Sequence, residues 1–203
     1  MNIKVNLEPF HYIEVKDLYT QKEQDKILKE LTHHESKGIF KTPDNTRSAT
    51  EDGEFLKQNT GFWWDALYYD RGYSDILKIN RKLFKVLESK KTEESWFFNQ
   101  LYINRDTTLI SYYENKDYYK PHRDNSLLTV LTWFYKEPKM FTGGELVFTD
   151  YDIKVKCAKN YTIIFPSNIK HEVTEINLPK EHCEDGYGRF VMTQFLMQQP
   201  TNE

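Results

Sequence analysis

The feature that most constrains the fold is a series of short β-type segments that fills the chain from Ser95 onward. The segments are rich in β-branched and aromatic residues, and turn sequences such as Gly-Gly, Lys-Asn and Pro-Ser-Asn separate several of them. They comprise residues 96–98, 108–112, 127–134, 145–148, 153–155, 161–165, 172–176 and 189–197. Many short strands at such spacing predict a β-sandwich or a jelly roll.

The part of the chain before Ser95 has a mixed pattern. Residues 10–15 alternate as a strand does, and Thr20 with Glu23 forms a capping-box pattern ahead of an apolar helical stripe. A second helix is predicted over residues 74–89, where apolar residues recur on one face. The segment between these helices is predicted to contain a long loop.

This organisation predicts one integrated α+β domain. A strand–helix buttress with a long loop over residues 36–60 occupies residues 1–94, and a double-stranded β-helix (jelly roll) core occupies residues 95–203. The N-terminal helices are expected to pack against the jelly roll.

Charge and cysteine usage narrow the classes of protein. The 203-residue chain has a net charge of −3, which gives no global reason to expect a nucleic-acid-binding protein. Cys157 and Cys183 are too few for a disulfide scaffold, which favours a reducing compartment. Neither a signal-peptide pattern nor a membrane-spanning apolar run is present, so we expect a cytoplasmic protein without a membrane partner. The sequence predicts no oligomeric state.

Three side chains form a candidate metal site. His122 and Asp124 are two positions apart next to Pro121, which disfavours a helix and allows both side chains to face one ion. This short motif alone is weak evidence, and by itself it is better explained by an ordinary polar turn. His171 follows a turn and opens another strand, and a jelly roll can bring such distant strands together. Two imidazoles and one carboxylate are the facial triad of non-haem Fe(II) oxygenases.

Arg189 is a candidate anion-binding residue. It begins an otherwise apolar strand, where an arginine is costly unless an anion meets it. A guanidinium can hold a carboxylate through two hydrogen bonds. Thr193 shares the strand face of Arg189, so its hydroxyl is predicted to face the same anion.

These residues belong to an ordered set of motifs that resembles the 2-oxoglutarate/Fe(II)-dependent oxygenases of the prolyl-hydroxylase (prolyl 4-hydroxylase-like) type. The resemblance spans residues 110–196. Its motifs are YENKDYYKPHRD at 113–124, LTVLTWFY at 128–135, TGGEL at 142–146, FP at 165–166, HEV at 171–173 and GRF at 188–190. The ordered combination is far more specific than any single motif.

The resemblance implies a role for each matching residue. His122, Asp124 and His171 would be the iron ligands, and Arg189 would bind the distal carboxylate of 2-oxoglutarate. Tyr113 and Thr193 would hydrogen-bond this cosubstrate. The resemblance also implies Fe(II), 2-oxoglutarate and O2 as cofactor and cosubstrates, with ascorbate as a candidate reductant.

Three positions depart from the family pattern. Lys116 replaces a glycine that often follows the first tyrosine of the motif, and Trp133 stands where some relatives have a cosubstrate-binding tyrosine. The interval between His171 and Arg189 is longer than usual and carries the insert 177–186. Lys180 lies nearer the usual spacing, but Arg189 is preferred because it opens a strand.

The resemblance implies hydroxylation of an aliphatic C–H, with a prolyl residue of a protein or peptide as the preferred substrate. The Asp124 carboxylate favours hydroxylation, because relatives that halogenate lack it. A nucleic acid or a free amino acid remains an alternative substrate, and a cupin-like metal-binding sensor remains an alternative function. A nucleic-acid groove would draw on Lys37, Lys41, Arg47 and Lys57, although acidic residues lie among them.

Overall fold

The computed structural model describes residues 1–199. Its helices lie in the first half of the chain, and only α1 exceeds two turns. They are α1 (Gln21–Ser36), α2 (Trp64–Leu67), α3 (Asp75–Ile79), α4 (Lys82–Leu87) and α5 (Trp96–Asn99). No helix in residues 1–199 is both long and apolar enough to cross a membrane.

The strands run along the whole described chain. In the N-terminal part they are β1 (Asn2–Asn6), β2 (Tyr12–Lys16), β3 (Thr50–Glu51), β4 (Glu54–Phe55), β5 (Lys57–Gln58) and β6 (Thr60–Trp63). The remainder are β7 (Arg105–Tyr113), β8 (Tyr118–His122), β9 (Leu128–Phe134), β10 (Thr142–Gly143), β11 (Leu146–Phe148), β12 (Ile153–Val155), β13 (Tyr161–Pro166), β14 (His171–Val173), β15 (Ile176–Asn177) and β16 (Arg189–Met197).

Two antiparallel sheets form the body of the protein. The larger sheet has the strand order β1-β2-β13-β9-β16-β7-β6, and the smaller has the order β12-β11-β14-β8-β5. Apart from the hairpins β1–β2 and β11–β12, neighbouring strands in both sheets are distant in sequence, as in a jelly roll. With the helices on one side, this is the α+β jelly roll that the strand pattern predicts. The boundary between residues 94 and 95 stays a prediction, and β1, β2 and β6 share the larger sheet with later strands.

Side-chain alternation along β16 separates two hydrophobic cores. Phe190 and Met192 point into a core that the larger sheet shares with the helices. Val191 points the opposite way, into the core between the two sheets. Arg189 and Thr193 share the face of Val191, so the strand carries both polar groups into the space between the sheets.

The first helix begins where the capping box predicts. The Thr20 side chain accepts a hydrogen bond from the backbone N–H of Glu23, whose carboxylate accepts one from the Thr20 backbone. Ile27 and Leu31 are fully buried on the face that packs against the core. This confirms the predicted helix start.

The strand predicted at residues 172–176 is divided between β14 and β15, which belong to different sheets, and two further local predictions were wrong. The helix expected over residues 74–89 is broken into α3 and α4 at Asn80, whose buried amide donates to Thr108 Oγ1 at 3.0 Å. The strand expected at residues 96–98 is the short helix α5, because the Ser95 hydroxyl caps it by accepting from the Phe98 N–H at 3.2 Å. In both places a polar side chain overrides the apolar pattern.

Candidate active site

The pairing of β8 with β14 brings His122 and His171 together. The two residues are direct partners in this antiparallel pair, and their ring centroids are 4.3 Å apart. Asp124 follows the end of β8, and its carboxylate oxygens lie 3.7 Å from His122 Nε2 and 3.5 Å from His171 Nε2. One potential ligand atom of each residue lies within 4.8 Å of the other two. This spacing suits a single metal ion.

Hydrogen bonds orient both imidazoles towards the shared centre. His122 Nδ1 lies 2.8 Å from the Lys120 carbonyl, and His171 Nδ1 lies 2.9 Å from the Ile169 carbonyl. A carbonyl only accepts, so each Nδ1 is the donor, and in the neutral form of each ring Nε2 presents a lone pair. Metal-ligating histidines in proteins are commonly fixed in this way.

The carboxylate of Asp124 is held from its other side. Thr129 Oγ1 donates to Asp124 Oδ2 at 2.6 Å, and the Asp124 backbone N–H donates to the Ser167 carbonyl at 2.9 Å. Thr129 lies on β9, so the larger sheet positions a side chain that follows a strand of the smaller sheet.

Burial keeps the His122 ring neutral. Removal from solvent, reinforced by the neighbouring His171, lowers the pKa of His122 to about 3. A neutral imidazole is the form that binds a metal, so no proton has to leave His122 first at neutral pH.

Arg189 is buried, and most of its hydrogen-bonding capacity is unused. It is 0% exposed, and its Nη1 donates to the Gly144 carbonyl. Nε and Nη2 have no hydrogen-bond partner in the described chain. The guanidinium carbon lies 4.2 Å from the centre of the Tyr113 ring. Nε and Nη2 form one edge of the guanidinium group. This edge can donate two parallel hydrogen bonds to a carboxylate.

The glycine pair of the TGGEL motif permits this arrangement. Gly144 has a φ of 68°, in the left-handed region, and a Cβ there would lie 3.3 Å from Arg189 Cδ and 3.0 Å from the Ile176 side chain. Glycine therefore allows the backbone carbonyl to approach the guanidinium.

A single cavity of about 830 Å³ joins these groups. Its volume is within the range of small-molecule sites. All six residues predicted to bind iron or 2-oxoglutarate line it: Tyr113, His122, Asp124, His171, Arg189 and Thr193. Trp133 also lines the cavity, whereas Lys180 is exposed in a 3-10 turn outside it.

The sequence indicated Lys57 only as a candidate residue of a nucleic-acid groove, and it gave no indication of Asn59. Lys57 lines the cavity and Asn59 is buried nearby, with neither atom of its amide bonded within residues 1–199. Both lie at the end of the segment 36–60, whose only regular elements are a 3-10 turn and short strands. The alternation of Lys57 and Asn59 across Gln58 is the one signal that could have indicated a strand there.

Comparison with known proteins agrees with this geometry. Residues 108–197, which contain both histidines, Asp124 and Arg189, match the 2OG-Fe(II) oxygenase superfamily. The match covers 90 of the 203 residues, and this part of the chain is similar to that superfamily. A search of curated proteins found no match to this chain.

Solved structures share the fold of this chain at low sequence identity. A prolyl-4-hydroxylase from Pseudomonas putida is 12% identical, with a TM-score of 0.63 and 93% of each chain covered. A prolyl hydroxylase from Trichoplax adhaerens, in complex with a hypoxia inducible factor peptide fragment, is 14% identical, with a TM-score of 0.62 over 92% of this chain and 83% of that one.

The same fold also occurs in a structure with DNA. NgTET1 in complex with 5mC DNA is 15% identical, with a TM-score of 0.51 over 93% of this chain and 72% of that chain. At such identities the similarity establishes the double-stranded β-helix fold, and the substrate has to be argued from the site.

Proposed function

We propose that this oxygenase hydroxylates an aliphatic C–H of a prolyl residue in a protein or peptide, with Fe(II), 2-oxoglutarate and O2. The observation that carries the proposal is one cavity with two complementary ends. One end holds the two imidazoles and the carboxylate, and the other holds the guanidinium of Arg189, whose Nε and Nη2 have no hydrogen-bond partner in residues 1–199.

His122, Asp124 and His171 fit an Fe(II) ion. Their ligand atoms converge, both Nε2 lone pairs face the carboxylate, and Thr129 fixes the carboxylate. Three protein ligands leave coordination positions for small molecules, whereas a structural metal is closed by protein ligands. This donor set therefore supports a catalytic metal.

Arg189 fits the distal carboxylate of 2-oxoglutarate. Its Nε–Nη2 edge is buried and has no partner in residues 1–199, and an uncompensated buried charge is strongly destabilising. A dicarboxylate would satisfy that edge and reach from it towards the metal ligands. Tyr113 and Thr193, which line the same cavity, are proposed to donate hydrogen bonds to it.

When bound, iron with 2-oxoglutarate and O2 supplies the oxidising chemistry and releases succinate and CO2. The chain's own contribution is to orient the cosubstrate and to keep water away. Leu131, Val191 and Phe195 give the cavity wall an apolar surface between its two polar ends. The reactive centre is thereby separated from bulk solvent on the side of the larger sheet.

The prolyl substrate is supported by fold similarity. Several structures that share the fold are prolyl hydroxylases, and one of them was solved with a peptide. The unpartnered, buried edge of Arg189 supports a dicarboxylate site and argues against the cupin-like sensor, which does not need to hold a dicarboxylate. The cytoplasmic location and the use of ascorbate as a reductant stay predictions.

Anaerobic spectroscopy tests the proposed cofactor site. Adding Fe(II) and then 2-oxoglutarate to metal-free protein without O2 should produce a visible metal-to-keto-acid charge-transfer band. His171→Ala should abolish the band, Arg189→Ala should require more than about tenfold higher 2-oxoglutarate, and the exposed His33→Ala should match wild type. A folded, metal-loaded protein without the band would contradict the proposal.

Mass spectrometry then tests the reaction. Proline-containing peptides incubated aerobically with iron and 2-oxoglutarate should gain the mass of an oxygen atom. The gain should depend on 2-oxoglutarate, and succinate should form. An intact charge-transfer band with no peptide oxidised across a diverse panel would leave the cofactor site standing and overturn the prolyl substrate.

A further inference from the structure

Lys57 is a buried cation in the wall of the proposed active-site cavity. It is 5% exposed, and β5 places it opposite Tyr119 on β8, the strand that ends in His122. Its ammonium lies 5.5 Å from the centre of the Tyr119 ring. The opposite charge that acts on it is Asp124, but the two groups form no salt bridge. The site therefore contains a lysine without a partnering anion among the described residues.

The charges that line the cavity are predominantly positive. The cations are Arg47, Lys57, Arg105, Arg123 and Arg189, and the carboxylates in the described part of the lining are Asp65 and Asp124. Asp65 already pairs with Arg71, outside the lining, and Arg123 with Asp150. With Arg189 assigned to 2-oxoglutarate, Lys57 and the exposed Arg47 and Arg105 remain for another anion.

We propose that Lys57 binds a carboxylate of the substrate, so that the oxygenase selects peptides whose target residue adjoins an acidic group. This inference rests on the proposed function and specifies its substrate class. The carboxylate would come from an Asp or Glu side chain next to the target residue, or from the C-terminus of a peptide that ends with it.

The depth of Lys57 sets the position of that carboxylate. The Tyr119 ring, 5.5 Å from the Lys57 ammonium, stacks on the His122 imidazole with 3.5 Å between the ring centroids. A group bound to Lys57 therefore lies on the side of the cavity that holds the proposed metal ligands. This favours a carboxylate on the target residue or its immediate neighbour over one further along the peptide.

The same depth disfavours a nucleic-acid backbone as the ligand. Phosphates are usually bound by exposed cations that track the backbone along a groove. Lys57 is accessible only to a group that enters the cavity. Arg47 and Arg105, which are exposed at the cavity, would attract an acidic peptide from solution without contacting the bound carboxylate.

Burial of the Lys57 ammonium also makes a neighbouring anion energetically favourable. Removal from solvent lowers the pKa of Lys57 to about 8. The ammonium is therefore still the main form at neutral pH, and a carboxylate that enters the cavity offsets part of the cost of burying it.

Fluorescence anisotropy with labelled peptides tests the inference. The protein is loaded with Fe(II) and 2-oxoglutarate without O2, so that binding is measured without turnover. One peptide pair has Glu or Gln after a central proline, and a second pair ends in proline as a free acid or an amide. Wild type should bind one acidic member about tenfold more tightly than its neutral partner. The pair that shows the preference identifies the source of the carboxylate.

Substitutions at Lys57 test whether this lysine causes the preference for the acidic peptide. Lys57→Met should remove the preference and leave the affinity for the neutral peptide within about twofold of wild type. Lys57→Arg should retain much of the preference for the acidic peptide. Lys90→Met, at an exposed lysine away from the cavity, should behave as wild type. The melting temperature of Lys57→Met should not fall, because the variant loses a buried charge, and this separates lost binding from misfolding.

Three outcomes would overturn the inference. Wild type binding acidic and neutral peptides equally would exclude a carboxylate site. An equal loss for both peptides in Lys57→Met would mean that the lysine shapes the cavity without selecting charge. A short single-stranded DNA that displaces the acidic peptide, and binds more weakly to Lys57→Met, would identify a nucleic acid as the ligand. An intact charge-transfer band in any of these cases would leave the proposed cofactor site standing.

Discussion

His122 and His171 face each other across the antiparallel pair β8–β14, and the strand register shifts immediately after them, between His171 and Val173. His122 is the last residue of β8 and His171 is the first residue of β14, so both rings lie at the same end of the smaller sheet. Asp124 follows β8 at this end. The proposed metal site is a consequence of strand pairing, and its precision depends on the residues that support it.

Thr129 should tune the metal affinity through Asp124. Thr129→Val removes the hydrogen bond to Asp124 Oδ2, so the carboxylate loses its fixed orientation. Loss of such an outer hydrogen bond typically lowers metal affinity by 10- to 100-fold, and we expect a decrease of at least about tenfold. Calorimetric titration with Mn(II) measures it. Thr132→Val, which removes a buried hydroxyl bonded to Thr162, should lower stability without changing metal affinity.

Arg189 should be required for stabilisation by 2-oxoglutarate. In wild type with Mn(II), 2-oxoglutarate at 100 times its Kd should add about 2.7 kcal/mol to the free energy of unfolding. Arg189→Met should lose this increment and keep the stabilisation by Mn(II), because the metal ligands are unchanged. Thermal melts with and without Mn(II), and with and without 2-oxoglutarate, measure the stabilisation by each ligand. Arg105, an exposed cation that lines the cavity, provides the control, and Arg105→Met should still be stabilised by 2-oxoglutarate. If Arg105→Met also lost this stabilisation, the result would argue against a specific role of Arg189.

Gly144 should be needed for both stability and 2-oxoglutarate binding. Gly144→Ala forces a side chain into the left-handed region and against Ile176 and Arg189, for a cost of about 2–3 kcal/mol. Gly38→Ala has a similar φ of 64° with no atom within 4 Å of the new Cβ, so it should cost only about 1 kcal/mol. Urea denaturation measures the difference. Equal losses in the two variants would show that contact with Ile176 and Arg189 is unimportant.

Lys57 should make stability rise with pH. Its folded-state pKa of about 8 lies below the value of 10.5 expected for the unfolded chain. Between these pH values the unfolded state binds the extra proton, so the free energy of unfolding rises with pH. Lys57→Met should lack this rise and be more stable than wild type at pH 7, by about 1–3 kcal/mol. Urea denaturation at pH 7 and pH 10 tests it, and a less stable variant at pH 7 would contradict a costly buried charge.

Local sequence patterns predicted much of the fold. The strands β7, β9, β13 and β16 fall within two residues of their predicted bounds or contain them, and Thr20 starts α1 as predicted. Both features depend on backbone preferences and on contacts between near neighbours in sequence, which a single sequence records directly. The strand β1 was not predicted, and it pairs with β2 at the edge of the larger sheet.

The sequence by itself determined which chemical groups were available: two histidines, an aspartate and a strand-opening arginine in a recognisable order. Only the tertiary structure decided that they share one cavity with the buried, unpartnered edge of Arg189 and with Lys57. The tertiary structure also ended α3 at Asn80, through a hydrogen bond to Thr108. The reason is that strand pairing and burial join residues far apart in the chain, and the energy of those contacts depends on both sheets at once.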